Sequence, residues 1–207
     1  GIHMPTRSPL GTPDNLVVLA TKAETLGFDL IATGDHIVVP KEIESRYPYT
    51  RSRRSRIGRG CGEWLEQMVL LSFLAAHTSR VRLLTSVMVI PHRSPVVAAK
   101  SLTTIDVLSK GRLILGCGVG WMREEFEAVG APSFDERGAI TDEYIRAYKE
   151  LWTSDNPTFD GKYCRFSNLS FEPKPVQTPH PPIWIGGEST AALRRVGQLG
   201  DGWEPGN

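Results

Sequence analysis

Residues 80–121, RVRLLTSVMVIPHRSPVVAAKSLTTIDVLSKGRLILGCGVGW, constrain the fold more than any other stretch of the chain. Residues 81–90 are dense in β-branched and large apolar side chains, which suits a strand buried on both faces. Pro91 has no amide hydrogen to give a ladder and stops it. Ser94 then reads as an N-cap and Pro95 as the first helical position. Val96, Ala99, Lys100, Thr103 and Val107 recur at helical spacing, and Gly111 closes the segment. Residues 112–117 form a second short apolar strand that ends among Gly116, Gly118 and Gly120, where a backbone can turn tightly or approach a ligand closely. Two strands joined by a helix make a right-handed βαβ unit, with both strands ending on one edge. In parallel α/β folds that edge carries the chemistry, so the site is expected at residues 86–93 and 116–121.

The rest of the chain repeats this unit. Residues 2–4 are a short candidate strand ended by Pro5, and residues 12–26 a helix capped by Thr12 and closed at Gly27. Residues 28–33 are a second buried strand running into Gly34, Asp35 and His36. Further helices are expected at residues 62–76 and 135–152, with a short helical stretch bearing Glu124, Glu125 and Glu127 between them. Residues 153–182, rich in proline, read as a long loop able to act as a flap over a substrate. A strand at 183–185, the turn Gly186–Gly187, a helix at 190–198 capped by Ser189, and a last strand from Gly200 to Trp203 follow. No hairpin signal such as Asn-Gly separates the strands, which favours a mainly parallel sheet over a sandwich. A barrel and an open doubly wound sheet both satisfy this order. No glycine fingerprint follows the first strand, and about six units at intervals of about thirty to sixty residues fit part of an eightfold barrel better.

Composition removes several classes. The 207 residues suffice for one substantial core, and the chain is read as a single domain over 1–207 that is incomplete at its C-terminus. A formal charge of +1 implies no general affinity for nucleic acid. Residues 46–59 hold six arginines and no acid, but lack the helical frame or aromatic pattern of a nucleic-acid surface and read as a solvated loop. Cys61, Cys117 and Cys164 are scattered in neither a metal pattern nor an even disulfide set. No apolar run reaches the roughly 18–20 residues that span a bilayer, and no signal-peptide pattern is visible, so a cytoplasmic location and no membrane partner are expected.

Several residues at the expected edge can carry chemistry. His36 can donate a proton, stabilise developing charge or bind substrate; alternatively it only lines the edge while Asp35 bonds local backbone. His92 and Arg93 follow the third strand, and Arg93 suits either a two-pronged anion contact or a salt bridge that holds a loop. The five histidines show no ligand spacing such as HExxH, and no GxSxG elbow is present, so neither a metal nor a serine nucleophile is expected. Gly186, Gly187, Glu188 and Ser189 form a glycine turn leading into a helix N-terminus, a geometry suited to phosphate.

The blocks GFDLIATGDHIVVP, RLLTSVMVIPHRSPVVAAKSLTTIDVLSKGRLILGCGVGW, EEFEAVGAPSFDERG, PPIWIGGES and LGDGWEP resemble the bacterial luciferase-like flavin-binding family, most closely its F420-dependent oxidoreductase branch. The resemblance implies a TIM (β/α)8 barrel, here truncated after about six strands, and a homodimer. It implies coenzyme F420 or, alternatively, FMN as cofactor, and a small organic substrate. It places a non-proline cis peptide at Ser86–Val87 behind the cofactor ring, His36 beside Asp35 near the ring, Gly118 at the close approach of the second strand, and the cofactor phosphate at Gly186, Gly187, Glu188 and Ser189. His36, His92 and Trp121 are then the candidates for the reacting face. Trp121 stands where F420-dependent sugar-phosphate dehydrogenases carry a glutamate, which argues against that substrate and leaves an aromatic wall instead. The arginine-rich stretch at 51–59 also departs from the family pattern. Three functions follow from the resemblance: F420-dependent hydride transfer to or from an organic substrate, an FMN-dependent luciferase-like monooxygenase, or a non-catalytic F420- or flavin-binding protein.

Overall fold

A computed structural model describes residues 1–7, 9–48 and 64–206. Its strands are β1 (Ile2–His3), β2 (Leu30–Thr33), β3 (Arg82–Thr85), β4 (Met88–Val89), β5 (Leu113–Gly118), β6 (Phe159–Asp160), β7 (Arg165–Phe166), β8 (Ile183–Gly186) and β9 (Gly202–Glu204). Its helices are α1 (Pro13–Thr25), α2 (Gln67–His77), α3 (Pro95–Leu108), α4 (Arg123–Ala128), α5 (Arg137–Thr153) and α6 (Thr190–Leu199).

The main sheet runs β1-β2-β3-β5-β8-β9, every pair parallel, with β4 added on β5. Strand order follows chain order and never reverses. A doubly wound sheet needs a reversal, so the alternative left open by the sequence is removed, and the sheet is a curled, six-stranded half-barrel. Its strands obey a period of two. Ile31, Leu83, Leu113, Leu115, Ile183 and Ile185 pack outward against the helices, with Leu16 and Ala20 of α1, Leu71 and Leu74 of α2, Leu102 and Ile105 of α3, and Tyr148 and Leu151 of α5. Ala32, Leu84 and Ile114 form a separate inner cluster with Leu30 and Trp184. Each fully buried Leu or Ile of the outer layer contributes about 1.5–3 kcal/mol.

Local signals explain most element ends. The Thr12 hydroxyl caps α1 by accepting from the Asn15 amide, and Ser189 caps α6 by accepting from Ala192. Gly27 and Gly111 take positive φ beyond α1 and α3. Arg112 is buried at the opposite end of the sheet from the expected site and donates to the carbonyls of Ala75, Thr78, Val81 and Ser109, tying the end of α2 to β5.

Four expectations need correction. The strand read at 81–90 is broken in two: β3 pairs with β2 and β5, the chain jogs at Ser86–Val87, and β4 pairs only with β5. The helix read at 62–76 begins at Gln67, because the Glu66 side chain accepts from the Val69 amide and acts as its N-cap; residues 62 and 63, like the arginines at 51–59, lie outside the described residues. Residues 153–182 contain an antiparallel hairpin, β6–β7, which the sequence reading missed. That segment is also no flap over the site. Glu143 of α5 accepts from the amides of Lys162, Tyr163 and Cys164, Asp106 of α3 accepts from Val176 and Gln177, and Lys174 donates to the last carbonyls of α5. Gln177 then reaches Leu113 and Arg82, at the ends of β5 and β3 remote from the site. The segment is therefore fastened to the outer helices and beneath the sheet.

Candidate active site

At the C-terminal edge the peptide bond Ser86–Val87 is cis, at the position the resemblance implies. The jog places the Val87 side chain against β5 and β8. A Cβ on Gly118 would collide with Val87 Cγ2, and one on Gly186 would lie 2.6 Å from Val87 Cγ1. These two glycines thus have a packing reason that is independent of any ligand. Thr85 repairs the ladder at the jog: its hydroxyl accepts from the Gly116 amide at 2.8 Å and donates to the Gly116 carbonyl at 2.9 Å. The Ser86 hydroxyl bonds Glu204 at the end of β9.

The second group surrounds His36. Its Nδ1 lies 2.8 Å from Glu125 Oε2, and Glu125 Oε1 accepts from the Ile37 amide at 2.8 Å and the Val38 amide at 3.4 Å. Glu125 is 1% and His36 9% exposed, so this is a buried pair. A carboxylate only accepts, which puts an imidazole hydrogen on Nδ1; in the neutral ring Nε2 is then the acceptor. The His36 ring sits edge-to-face with Trp64, centroids 4.8 Å apart, and with Trp121 at 6.4 Å; Tyr47 packs on Trp121 at 5.0 Å. The neighbouring Glu124 accepts from the Glu44 and Ser45 amides, and the Ser45 hydroxyl accepts from the Arg123 amide. Partial burial raises the Glu124 carboxyl, but hydrogen bonds from the Ser45 hydroxyl and from the Ser45 and Glu44 amides outweigh it and hold it below its usual value. The first turn of α4 therefore clasps the loop after β2 with two adjacent carboxylates.

Asp35 turns the other way. Both its oxygens receive the Arg93 guanidinium, at 2.7 and 2.8 Å, and Oδ2 also accepts from the Val89 amide; Arg93 reaches Glu66 at 2.6 Å as well. Burial works against the charged guanidinium, but the paired carboxylates of Asp35 and Glu66 win and raise the Arg93 pKa above its ordinary value. Of the two roles weighed for Arg93, the geometry gives it the salt bridge, and it fixes β2, β4 and the start of α2 to one another. His92 is 7% exposed and packs edge-to-face on Phe126, centroids 4.6 Å apart, and neither ring nitrogen has a partner in the protein. Burial pushes its pKa down, against the opposing charges of Glu125 and Asp35, so the ring is neutral and carries one unmet donor and one unmet acceptor.

At the end of β8, Gly187 has φ 104° and its amide donates to the Glu204 carbonyl, while Glu188 and Ser189 are exposed at the start of α6. The next amides, in the first turn of α6, have no intrahelical acceptor. The sequence-derived residues thus fall into three neighbouring groups on one edge: Asp35, His36, His92 and Trp121; Ser86, Val87, Gly118 and Gly186; and Gly187 to Ser189. Sequence reading missed Glu125, Glu66, Trp64 and Glu204 as members. Among the described residues, no three His, Cys, Asp or Glu side chains are arranged to hold a metal, and no helix is long and apolar enough to cross a membrane.

A curled parallel α/β sheet with its polar and aromatic groups gathered at the C-terminal edge is the arrangement of a (β/α) barrel. The sequence pattern of luciferase-like monooxygenases matches residues 2–207, and the chain belongs to that family. It is 37% identical over 160 residues to an FMNH(2)-dependent dimethylsulfone monooxygenase of Pseudomonas putida, covering 76% of this chain and 44% of that protein. It is 33% identical over 188 residues to an uncharacterized protein of Mycobacterium tuberculosis, covering 89% of this chain and 64% of that protein. Among solved structures, the monooxygenase RslO1 from Streptomyces bottropensis superposes with a TM-score of 0.78 at 28% identity, over 98% of this chain and 58% of that one. An F420-dependent secondary alcohol dehydrogenase superposes with a TM-score of 0.74 at 21% identity, over 98% and 56%, a likeness of fold alone. The chain therefore spans about half to two-thirds of the length of these relatives.

Proposed function

We propose that this chain carries the cofactor edge of an FMN-dependent monooxygenase acting on a small organic substrate. The observation that carries this reading is the 37% identity to a monooxygenase that uses reduced FMN. RslO1, at 28% identity, supports it, whereas the F420-dependent neighbours lie at 20% and 21% and bear only on fold. The expected preference for F420 therefore becomes the second reading.

The residues fit a flavin. The glycine turn and the first amides of α6, with Ser189, would hold the phosphate; Glu188 is exposed and free to turn its charge away. Ser86 and Val87 would lie behind the ring. His92 offers two buried nitrogens that lack partners, and Trp64 and Trp121 give an apolar wall. Reduced FMN, when bound, supplies the two electrons that reduce oxygen, one atom going to the substrate and the other to water. The protein's own part is to orient and to exclude water. Glu125 fixes His36 so that Nε2 accepts a hydrogen bond from ligand or substrate, and Trp121 limits solvent at that face.

The test is a titration of the purified protein with FMN and F420, each oxidised and reduced, followed by ring fluorescence, and then oxygen uptake with reduced FMN. Micromolar binding of FMN with weaker F420, and oxygen uptake stimulated by an organic substrate, is the expected result. Tight F420 with weak FMN would return the reading to hydride transfer. Binding of neither by folded protein would sink both.

A further inference from the structure

We propose that Glu204 is a positioning residue of this edge that sets, through its own proton, which way the Ser86 hydroxyl donates. The ligand half of the proposal rests on the reading of the edge as a ring site.

Glu204 ends β9 in register with Gly186 of β8, and its side chain crosses the inner face of the sheet. Its Oε2 lies 2.8 Å from where a Cβ on Gly116 would stand, so the carboxyl occupies space that only glycine leaves open on β5. Oε1 bonds the Ser86 hydroxyl, while Oε2 is buried with no partner. A hydroxyl has one hydrogen. Facing a carboxylate, Ser86 must donate to it, and only the lone pairs of its oxygen remain for anything else. When the carboxyl takes a proton from solvent on Oε1, that oxygen donates to Ser86, and the Ser86 hydrogen is released toward a carbonyl or ring nitrogen of a ligand. The protonated state is within reach. Burial raises the Glu204 pKa above its usual value, and the Ser86 bond opposes this only in part.

The surrounding elements leave the pair electrostatically simple. β8 and the inner end of β3 carry no ionisable side chain, and β5 carries only Cys117, whose thiol burial pushes well above its ordinary range. On α6, Arg195 is committed to Asp142 and Gly138. Asp201, before β9, accepts from the Ile183 amide. Among the described residues no charged side chain is bonded to Glu204, whose carboxyl bonds the Ser86 hydroxyl.

Two measurements on the whole protein test this. The first needs no ligand: the Glu204 carboxyl is followed by 13C NMR against pH, assigned with Glu204→Gln. Its midpoint should lie above that of an ordinary glutamate and move up further in Ser86→Ala, which removes the donor to the ionised form. A midpoint that ignores Ser86→Ala overturns the coupling. The second is oxidised FMN affinity from pH 5 to 8. The wild type should lose about three- to tenfold in affinity as Glu204 ionises, the worth of one net hydrogen bond. The FMN phosphate, with a second pKa of about 6, titrates in the same range in every variant, so the test is the difference: Glu204→Gln and Ser86→Ala should lack the wild type's additional loss, with thermal melts confirming that both fold. An equal pH dependence in Glu204→Gln overturns the proposal. If neither FMN nor F420 binds at any pH while the NMR coupling holds, the ring-site reading has failed and the proton-dependent pair stands.

Discussion

Replacing Glu125 separates its structural and chemical duties. In Glu125→Ala two donors are stranded, His36 Nδ1 and the half-buried Ile37 amide; the Val38 amide, 3.4 Å away on an exposed residue, turns to water. A buried donor without a partner costs about 1–3 kcal/mol, so the loss is about 2–6 kcal/mol. At about 2–4 °C per kcal/mol for a domain of this size, the melting temperature should fall by roughly 5–20 °C. Glu125→Gln is different. Its amide oxygen still accepts from Ile37, but its NH2 group now faces Nδ1, which must become an acceptor. The hydrogen moves to Nε2, and the nitrogen proposed to accept from ligand or substrate becomes a donor. Stability should fall by only about 1 kcal/mol, while on the proposed role of His36 the affinity for the ligand that donates to Nε2 should drop about three- to tenfold, the worth of one net hydrogen bond. Thermal melts and 15N NMR of labelled histidine read the two effects separately. Retention of the Nδ1 hydrogen in Glu125→Gln, or a melt of Glu125→Ala within 2 °C of the wild type by the same scaling, would refute the reasoning.

Two further outcomes are expected. Gly118→Ala should cost about 1–3 kcal/mol by forcing its Cβ onto Val87. Much of that cost should return in the Val87→Ala/Gly118→Ala double variant, measured by urea unfolding; strict additivity would mean that the contact is not the cause. The depressed pKa of His92 makes its neutral form the one that folds, so the stability it carries is full above its unfolded pKa of about 6.5 and is lost as pH falls through the lower folded value. Between pH 7.5 and 5.5 the wild type should therefore lose more stability than His92→Phe, with a slope difference of at most about 1.4 kcal/mol per pH unit. Parallel pH profiles would show that His92 does not titrate on unfolding.

The architecture was legible because its signals are local and repeat. Thr12, Ser189, Gly27 and Gly111 announce helix ends by chemistry that acts within one turn, and the apolar runs of β2, β5 and β8 need no knowledge of their partners. What was lost depends on pairing. Residues 81–90 look like one strand because apolar density says nothing of the jog at Ser86–Val87, where Thr85 substitutes its side chain for a missing ladder bond. The loop at 153–182 looked free because the carboxylates that fasten it, Glu143 and Asp106, sit on helices read only for their apolar faces.

The same blindness divided the site. His36 and Asp35 stood out as a polar pair at a strand end, yet their side chains take different partners, one Glu125 and the other Arg93. Glu125 was visible only as part of an acidic patch, since nothing in REEFEA tells which of three glutamates turns inward. A usable signal was there: α4 has too few apolar residues to be held by packing alone, so acids in its first turn needed a reason beyond the helix dipole. That reason is the loop after β2. By holding residues 37, 44 and 45 with adjacent carboxylates, α4 ties the orientation of His36 to the position of the loop that carries Tyr47 against Trp121. A displacement of that loop must therefore loosen the imidazole and the aromatic wall together.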